Sequence, residues 1–336
     1  SPHPLSGGSK PLLYGGRFPG KQITIYEGMH ILGGSNDGIG TPEKGFVCRG
    51  GRMLNEETYE NFWELFSSIP SLRQPGRSVT EEILDFDHAH PTCAKARLVD
   101  KDGNILDVKS MGFNQADRMA LLKLLMTDEK KLDNLTIQDW FKETPHMFET
   151  NFWYMWQTTF AFQKWSSLYE FRRYMNRMIF EFSRIETLEG VTRTPLNQYD
   201  SVIRPLESYL RKAGVSFMEN CEVTDIDFED GHGITARTLY LKRKVEDTDD
   251  TGENGDAVKD SYVFETVQLE KNDICIMTNA CMTDSATLGD FHTPAPAPEQ
   301  KPISGELWAK VAAKKPGLGN PEPFFTKPHE TNWLSF

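Results

Sequence analysis

The sequence predicts an α/β protein whose nucleotide-type domain is assembled from two separated stretches around a helical insertion. Three observations lead there. The run ITIYEGMHILGGSNDGIG, residues 23–40, is a short β-branched segment that ends on an acid, Glu27, and passes into a Gly-rich polar turn. A long aromatic stretch with helical periodicity follows, and alternating strand patterns return late in the chain. Strands at both ends with helices between them suit one α/β domain carrying an insertion. In dinucleotide-binding folds, an acid closing the second strand holds a ribose hydroxyl, and a Gly-rich turn after the first strand holds the pyrophosphate.

The elements follow in order. Residues 1–20 are rich in Gly, Pro and Ser and read as irregular, and 22–27 read as a strand. Tyr59, Phe62, Trp63, Phe66 and Ile69 recur at helical spacing between Glu57 and Pro70. LDFDHAHPTCAKARLVDKDGNILDV, 84–108, reads as strand on either side of a turn at Asp102-Gly103. Helices are expected over 114–126, with Asn114 as N-cap, and over 136–141. The aromatic stretch 151–182 predicts two packed helices, with Phe171, Met175, Met178 and Phe182 along one face. A helix ends at Gly214, strands occupy 215–231 and 234–244, and the acidic segment 246–260 predicts a solvated loop. From Tyr262 to Ala280 the chain is expected to return to a sheet. The domain pieces are thus 22–80, 81–190 and 191–336.

Composition narrows the function. With 37 basic and 49 acidic residues the chain carries a net charge of −12, which argues against a nucleic-acid partner. No apolar run reaches the roughly 18 residues of a membrane span, and the N-terminus has no basic-then-apolar leader pattern. The five cysteines, Cys48, Cys93, Cys221, Cys275 and Cys281, include no CxxC pair and read as reduced thiols of a cytoplasmic protein. No metal site is expected, since HAH at 88–90 lacks the spacing of a zinc helix.

Three stretches invite chemistry. CRGGRMLNE, 48–56, sets Arg49 and Arg52 around Gly50 and Gly51, which suits a clamp on phosphate or carboxylate; a plain turn with two surface arginines remains the alternative. Tyr174 stands among Arg172, Arg173 and Arg177 at the flank of an apolar helix face, where a plain amphipathic core residue is the alternative to a chemical role. TNACMTDSATLGD, 278–290, offers small polar groups after a strand.

Taken in order, EGMHILGGSNDGIG, RGGR, FWELFSSIPSL, KSMGFNQADRMALLKLLM, ETNFWYMWQTTFAFQKWSS, RRYMNR, NQYDS and TNACMTDSATLGD resemble the oleate hydratases, the myosin-cross-reactive antigen family, from about residue 22 onward. The resemblance implies a Rossmann-like domain binding FAD or NAD(P) in two pieces. It implies FAD-dependent addition of water to the cis double bond of an unsaturated fatty acid such as oleic acid. FAD would meet Glu27, Gly33, Gly34, Ser35, Arg49, Gly50, Gly51, Arg52, Thr278, Asn279 and Ser285. Asn197, Gln198 and Tyr199 would line the substrate tunnel; an Asn cap on a buried turn reads equally well. Tyr174 would be the proton donor, its phenolate favoured by Arg172, Arg173 or Arg177.

There are departures. Family members begin with a GxGxxG-type turn, whereas this chain has SGGSKPLLYGG there, and they continue past TNWLSF into helical, membrane-facing structure. Truncation at both ends and a peripheral membrane contact through the continuation are the corresponding expectations. Where well-known members carry a water-activating glutamate after RGGR, this chain has Met53; the expectation is that Glu56 or Glu57 takes over, or that backbone and flavin alone hold the water. Two other readings stay open: a flavin oxidoreductase of the amine-oxidase-like type, and a non-catalytic lipid-binding fragment.

Overall fold

The computed structural model describes residues 18–48, 52–231, 233–245, 261–278, 292–293 and 305–325. Helices and strands are both well represented, in two compact units. One comprises 52–68 and 76–195; the other comprises 1–51, 69–75 and 196–336.

The first unit is helical. Its helices are α1 (Glu60–Ser67), α2 (Val79–Ala89), α3 (Gln115–Met126), α4 (Ile137–Trp140), α5 (Asn151–Phe160) and α6 (Leu168–Arg177). Capping fixes most of the starts. Ser78, Asn114 and Thr136 each accept a hydrogen bond from the backbone N–H three residues on, and the acid there accepts one from the cap residue's own N–H. These capping boxes satisfy N–H groups that a helix leaves without internal partners. Thr150 and Ser167 cap α5 and α6 through their hydroxyls alone.

The capping box at Ser78 overturns the strand expected from Leu84 to His90: those residues are the last turns of α2 and its C-cap. Only the second half of that prediction survives, as a single antiparallel bridge between Val99 and Ile105 around the turn at Gly103. α1 also starts later than its periodicity suggests, because Glu57 N–H and Thr58 Oγ1 both turn back to Asn55 Oδ1.

The core of this unit is aromatic. Phe141, Phe152, Trp153, Trp156, Phe162 and Phe171 are almost entirely buried, with Leu124, Leu132, Ile137 and Met147 filling between them. Phe171 is the hub, with ring centroids 5.6–6.4 Å from those of Phe141, Trp153, Trp156 and Phe162. The four contacts are edge-on or tilted, the geometry that ring quadrupoles favour.

The second unit holds the strands. β1 (Thr24–Tyr26) pairs in parallel with β4 (Ser216–Met218), and β2 (Gly38–Thr41) forms a hairpin with β3 (Gly45–Cys48). β5 (Cys221–Phe228), β6 (Ala236–Val245) and β7 (Ser261–Gln268) make an antiparallel sheet. A π-turn over Tyr199–Ile203 runs into α7 (Arg204–Lys212), which stops at Gly214 with φ +90° and feeds β4. Gly20 lets the approach to β1 pass over the end of α7: a Cβ there would lie 1.9 Å from the Ala213 carbonyl oxygen. α8 (Gly305–Lys314) packs on β5, with Val311 against Cys221 and Ile226, and Lys314 bonds Asp225 and Asp227 at 2.8 Å each. A further short helix, α9, spans Glu322–Phe325.

The late return to a sheet is realised only as β7. Residues 269–278 are not strand, and Ile274 and Ile276 are exposed. The acidic segment 246–260 lies outside the described residues. Among the described residues Cys93, Cys221 and Cys275 are free thiols, and no helix is long and apolar enough to cross a membrane.

Replacing Phe171 by Ala removes the ring on which four others converge. The expected cost is about 3–5 kcal/mol, the range for aromatic-to-alanine changes in packed cores, read as a lower urea midpoint at unchanged m-value.

Candidate functional site

Each unit holds a candidate site. In the helical unit, α5 and α6 bring Tyr174 against Phe160 and Phe162, both edge-on, with centroids 5.5 and 5.2 Å away. Tyr174 is not a core residue, since 38% of it is exposed. Burial of the phenol pushes its pKa above the ordinary value; Glu170 and Tyr59 add to the rise, and Arg177 and Arg52 oppose it. The neutral phenol is therefore the resting form.

The arginines divide their work in a way the sequence does not reveal. Arg172 donates to Glu129 Oε1 at 3.1 Å and to the Leu124 and Leu125 carbonyls, which closes the C-terminal end of α3. Arg173 donates to Glu129 and lies over the Tyr169 ring. Of the three only Arg177, stacked 4.3 Å from the centre of the Tyr59 ring, bears on the Tyr174 phenol. Of the three alternatives for favouring the phenolate, Arg172 and Arg173 are engaged by Glu129. Arg52, expected at a cofactor, sits in the same unit and lowers the Tyr174 pKa.

The same unit holds a cavity of about 20 Å³. Met53, Leu54, Trp156, Phe160 and Met178 line it, together with Asn55 and Glu181. Phe160 is thus a wall of the cavity on one side and the packing partner of Tyr174 on the other. Glu181 is 5% exposed. Its Oε1 accepts from Asn55 Nδ2 at 2.7 Å and from Arg184 Nη2 at 2.5 Å. Burial raises its pKa, and the Arg184 charge and hydrogen bond pull it back down. Gly190 makes this cluster possible: a Cβ there would fall 1.8 Å from Glu181 Oε1 and 2.3 Å from Arg184 Nη2.

The two acids expected to replace the missing glutamate are placed elsewhere. Glu56 pairs with the exposed His88 at 3.3 Å, and Glu57 accepts from Arg184 Nη2 at 3.0 Å with its side chain 40% exposed. Neither is on the cavity wall, whereas Met53 is. Glu181, Trp156, Asn55, Arg184 and Gly190 escaped the sequence reading. One signal was there: Glu181 is seven residues after Tyr174, an acid in a stretch otherwise read as an apolar face.

In the second unit Glu27 follows the end of β1. Burial raises its pKa, while the N–H groups of Met29 (3.0 Å to Oε1) and Gly28 lower it. Gly33 and Gly34 adopt φ of +112° and +52° and lead into a tight turn over Gly34–Asn36 that presents Ser35. Gly33 also lies close to Ile203, at 3.1 Å from a would-be Cβ, and the buried Asn36 Oδ1 has no hydrogen-bond partner. Thr278 is exposed, and Arg49, Gly50, Gly51, Asn279 and Ser285 lie outside the described residues.

Asn197 caps the turn into α7, accepting from the Asp200 N–H at 3.0 Å and donating to Asp200 Oδ2 at 2.8 Å. It also lines an open cleft of about 590 Å³ with Gly40, Thr41, Phe46 and Arg204. Tyr199 packs over Gly38 of β2, and burial raises its pKa. Gln198 lies between them as the residue that opens the π-turn.

The model of the MCRA family matches residues 11–336. The chain belongs to that family. It is 42% identical over 347 residues to a linoleate hydratase of Lactiplantibacillus plantarum, covering 97% of this chain and 58% of the relative. It is 33% identical over 324 residues to an oleate hydratase of Streptococcus pyogenes serotype M49 (strain NZ131), covering 96% of this chain and 52% of the relative. The chain therefore spans a little over half the length of these two hydratases.

Two outcomes follow from this geometry. Gly190→Ala should lower stability by about 1–3 kcal/mol, the usual cost of overpacking, because its methyl collides with the Glu181–Arg184 pair; an unchanged melting curve would refute that packing. Tyr174→Phe keeps both edge-on ring contacts, so the urea midpoint should hold, while alkaline absorbance titration should lose one phenol that ionises above the ordinary value near 10.

Proposed function

We propose that this chain forms part of an FAD-dependent fatty acid hydratase, which adds water across a cis double bond to give a hydroxy fatty acid. The observation that carries the reading is the likeness along nearly the whole chain to a linoleate and an oleate hydratase. The neutral Tyr174 phenol, held edge-on by Phe160 and Phe162, is consistent with it.

The chemistry needs a proton at one alkene carbon and a water oxygen at the other, with no net change of oxidation state. Tyr174 donates the proton. Its raised pKa keeps the proton in place at neutral pH, and Arg177 and Arg52 ease its departure by favouring the phenolate. Phe160 and Phe162 hold the phenol ring edge-on in an apolar setting.

The second unit fits a Rossmann-like FAD site. Glu27 beyond β1 suits the ribose hydroxyls, the turn Gly33-Gly34-Ser35 allows close backbone approach, and Asn36 Oδ1 is a buried acceptor awaiting a donor. Thr278 and, outside the described residues, Arg49, Gly50, Gly51, Asn279 and Ser285 would complete it. Bound FAD would supply shape and charge at the site in a reaction without net electron transfer. Asn197, Gln198 and Tyr199, the first of which lines the open cleft, are proposed for the substrate path.

A second reading, lipid binding without catalysis, is favoured by Met53, because a thioether cannot act as a base. Incubation with reduced FAD and oleic or linoleic acid in oxygen-18 water separates the two. A hydroxy fatty acid carrying the label, with Tyr174→Phe slower by about 10²–10⁴-fold, the usual scale for losing a general acid, is the expected result. Fatty acid bound and recovered unchanged would favour the binding reading, and flavin redox change coupled to turnover would favour an oxidoreductase.

A further inference from the structure

Arg177 is the arginine of RRYMNR that bears on Tyr174, and what holds it is a ring rather than an acid. Tyr174 and Arg177 are three residues apart on α6, a spacing that makes side chains neighbours on a helix surface. From the other side, the Arg177 guanidinium lies 4.3 Å from the centre of the Tyr59 ring. That is well inside the roughly 6 Å over which a ring face attracts a cation. Among the described residues Arg177 makes no ion pair, whereas Arg172 and Arg173 are both paired with Glu129.

The difference matters electrostatically. A carboxylate cancels the charge that it holds. An aromatic face carries a quadrupole and no net charge, so it fixes a cation in place and leaves the cation's field intact.

Tyr59 is itself firmly placed. It is the N-cap residue of α1, and its carbonyl accepts from the Phe62 and Trp63 N–H groups at 2.9 and 3.0 Å. Just before it, Glu57 N–H and Thr58 Oγ1 turn back to Asn55 Oδ1. The backbone that carries the ring is thus set by local bonds. The other groups that bear on the Tyr174 phenol are Glu170, one turn earlier on α6, and Arg52 and the Tyr59 hydroxyl, from the segment leading into α1. Glu170 and an ionised Tyr59 oppose loss of the Tyr174 proton, and the two arginines favour it.

We propose that Tyr59 is a positioning residue: its ring face holds the Arg177 guanidinium beside the Tyr174 phenol, so that the start of α1 tunes the acidity of the proton donor on α6. This rests on the reading of Tyr174 as the proton donor of a hydratase. Arg177 stays protonated throughout and supplies only its field.

The test compares Tyr59→Phe with Tyr59→Leu. Both lack the hydroxyl, and only the first keeps the ring face. With tyrosine labelled by carbon-13 at Cζ, the Tyr174 signal is identified by its loss in Tyr174→Phe and followed through an alkaline NMR titration. The ionisation constant of Tyr174 should be severalfold lower in Tyr59→Leu than in Tyr59→Phe. Adding Arg177→Gln should lower it severalfold in the Tyr59→Phe background and barely change it in the Tyr59→Leu background, the non-additivity expected when one residue acts through another. Equal constants in the two Tyr59 variants, or an equal effect of Arg177→Gln in both, overturn the proposal. Circular dichroism along the titration checks folding; should Tyr59→Leu not fold, Tyr59→Met, also without a ring, takes its place.

Hydration assays with oleic or linoleic acid and FAD give the second readout. Tyr59→Leu should show a kcat severalfold below that of Tyr59→Phe at the same KM. If the wild type hydrates fatty acid and the two variants turn over equally, Tyr59 has no part in proton transfer, and the proposal fails while the hydratase reading stands. If the wild type hydrates neither acid, the hydratase reading fails, and the titration alone decides whether Tyr59 tunes Tyr174 through Arg177.

Discussion

A carboxylate taken out of water must be compensated, and the helical unit is organised around one such group. Glu181 is fixed by Asn55, 126 residues earlier in the chain, and by Arg184 one turn later. Removing either partner would leave a charge or a polar group buried without compensation, which costs far more than an ordinary surface ion pair contributes. That requirement ties the segment after RGGR to the end of the aromatic stretch. It also fixes Gly190, where no side chain fits, and brings Leu54 into its antiparallel bridge with Thr192. Met53 reaches the cavity because its neighbours are held in this way.

The aromatic core serves the same end by a different force. Phe171 and Trp156 lock α5 against α6, so the faces on which Tyr174 and the cavity lie keep a fixed separation through Phe160. Ring packing is non-directional enough to be strong and directional enough, through edge-on contacts, to be rigid. A phenol on such a support needs no large charge beside it. Arg172 and Arg173 are released to close α3 and to hold Glu129, and Arg177 is left to act on Tyr174.

What was legible in the sequence was local. Asn114 and Asp117, Thr136 and Asp139, and the Gly after α7 mark helix ends by chemistry confined to a few residues, and the corresponding elements were readable. Ser78 and Glu81 form the same device, yet LDFDHAH beyond them alternates apolar and polar like a strand; the cap and the packing of α2 on α1 decide for helix. At 269–278 an apolar run suggests a strand, but a strand needs a neighbour to satisfy its backbone, and pairing in the β5–β6–β7 sheet stops at Gln268. The site divides along the same line. Tyr174 and the turn after Glu27 are visible as short motifs, whereas Glu181, Asn55 and Trp156 acquire meaning only when the fold brings them together.

The placement of Met53 shows why a motif position and a chemical role separate. A glutamate at 53 would bring a second charged group to a cavity whose wall already holds the buried Glu181. Methionine fills that place without desolvating a charge, and its polarizable thioether packs against rings. The Glu181 carboxylate on that wall already has Arg184 and Asn55 as partners, so a buried charge is compensated at 181. A second carboxylate at 53, on the wall of the same cavity of about 20 Å³, would push the pKa of both groups up. A chain that keeps Glu181 therefore gains by having an apolar residue at 53. The departure after RGGR and the buried acid seven residues beyond Tyr174 follow from a single electrostatic constraint.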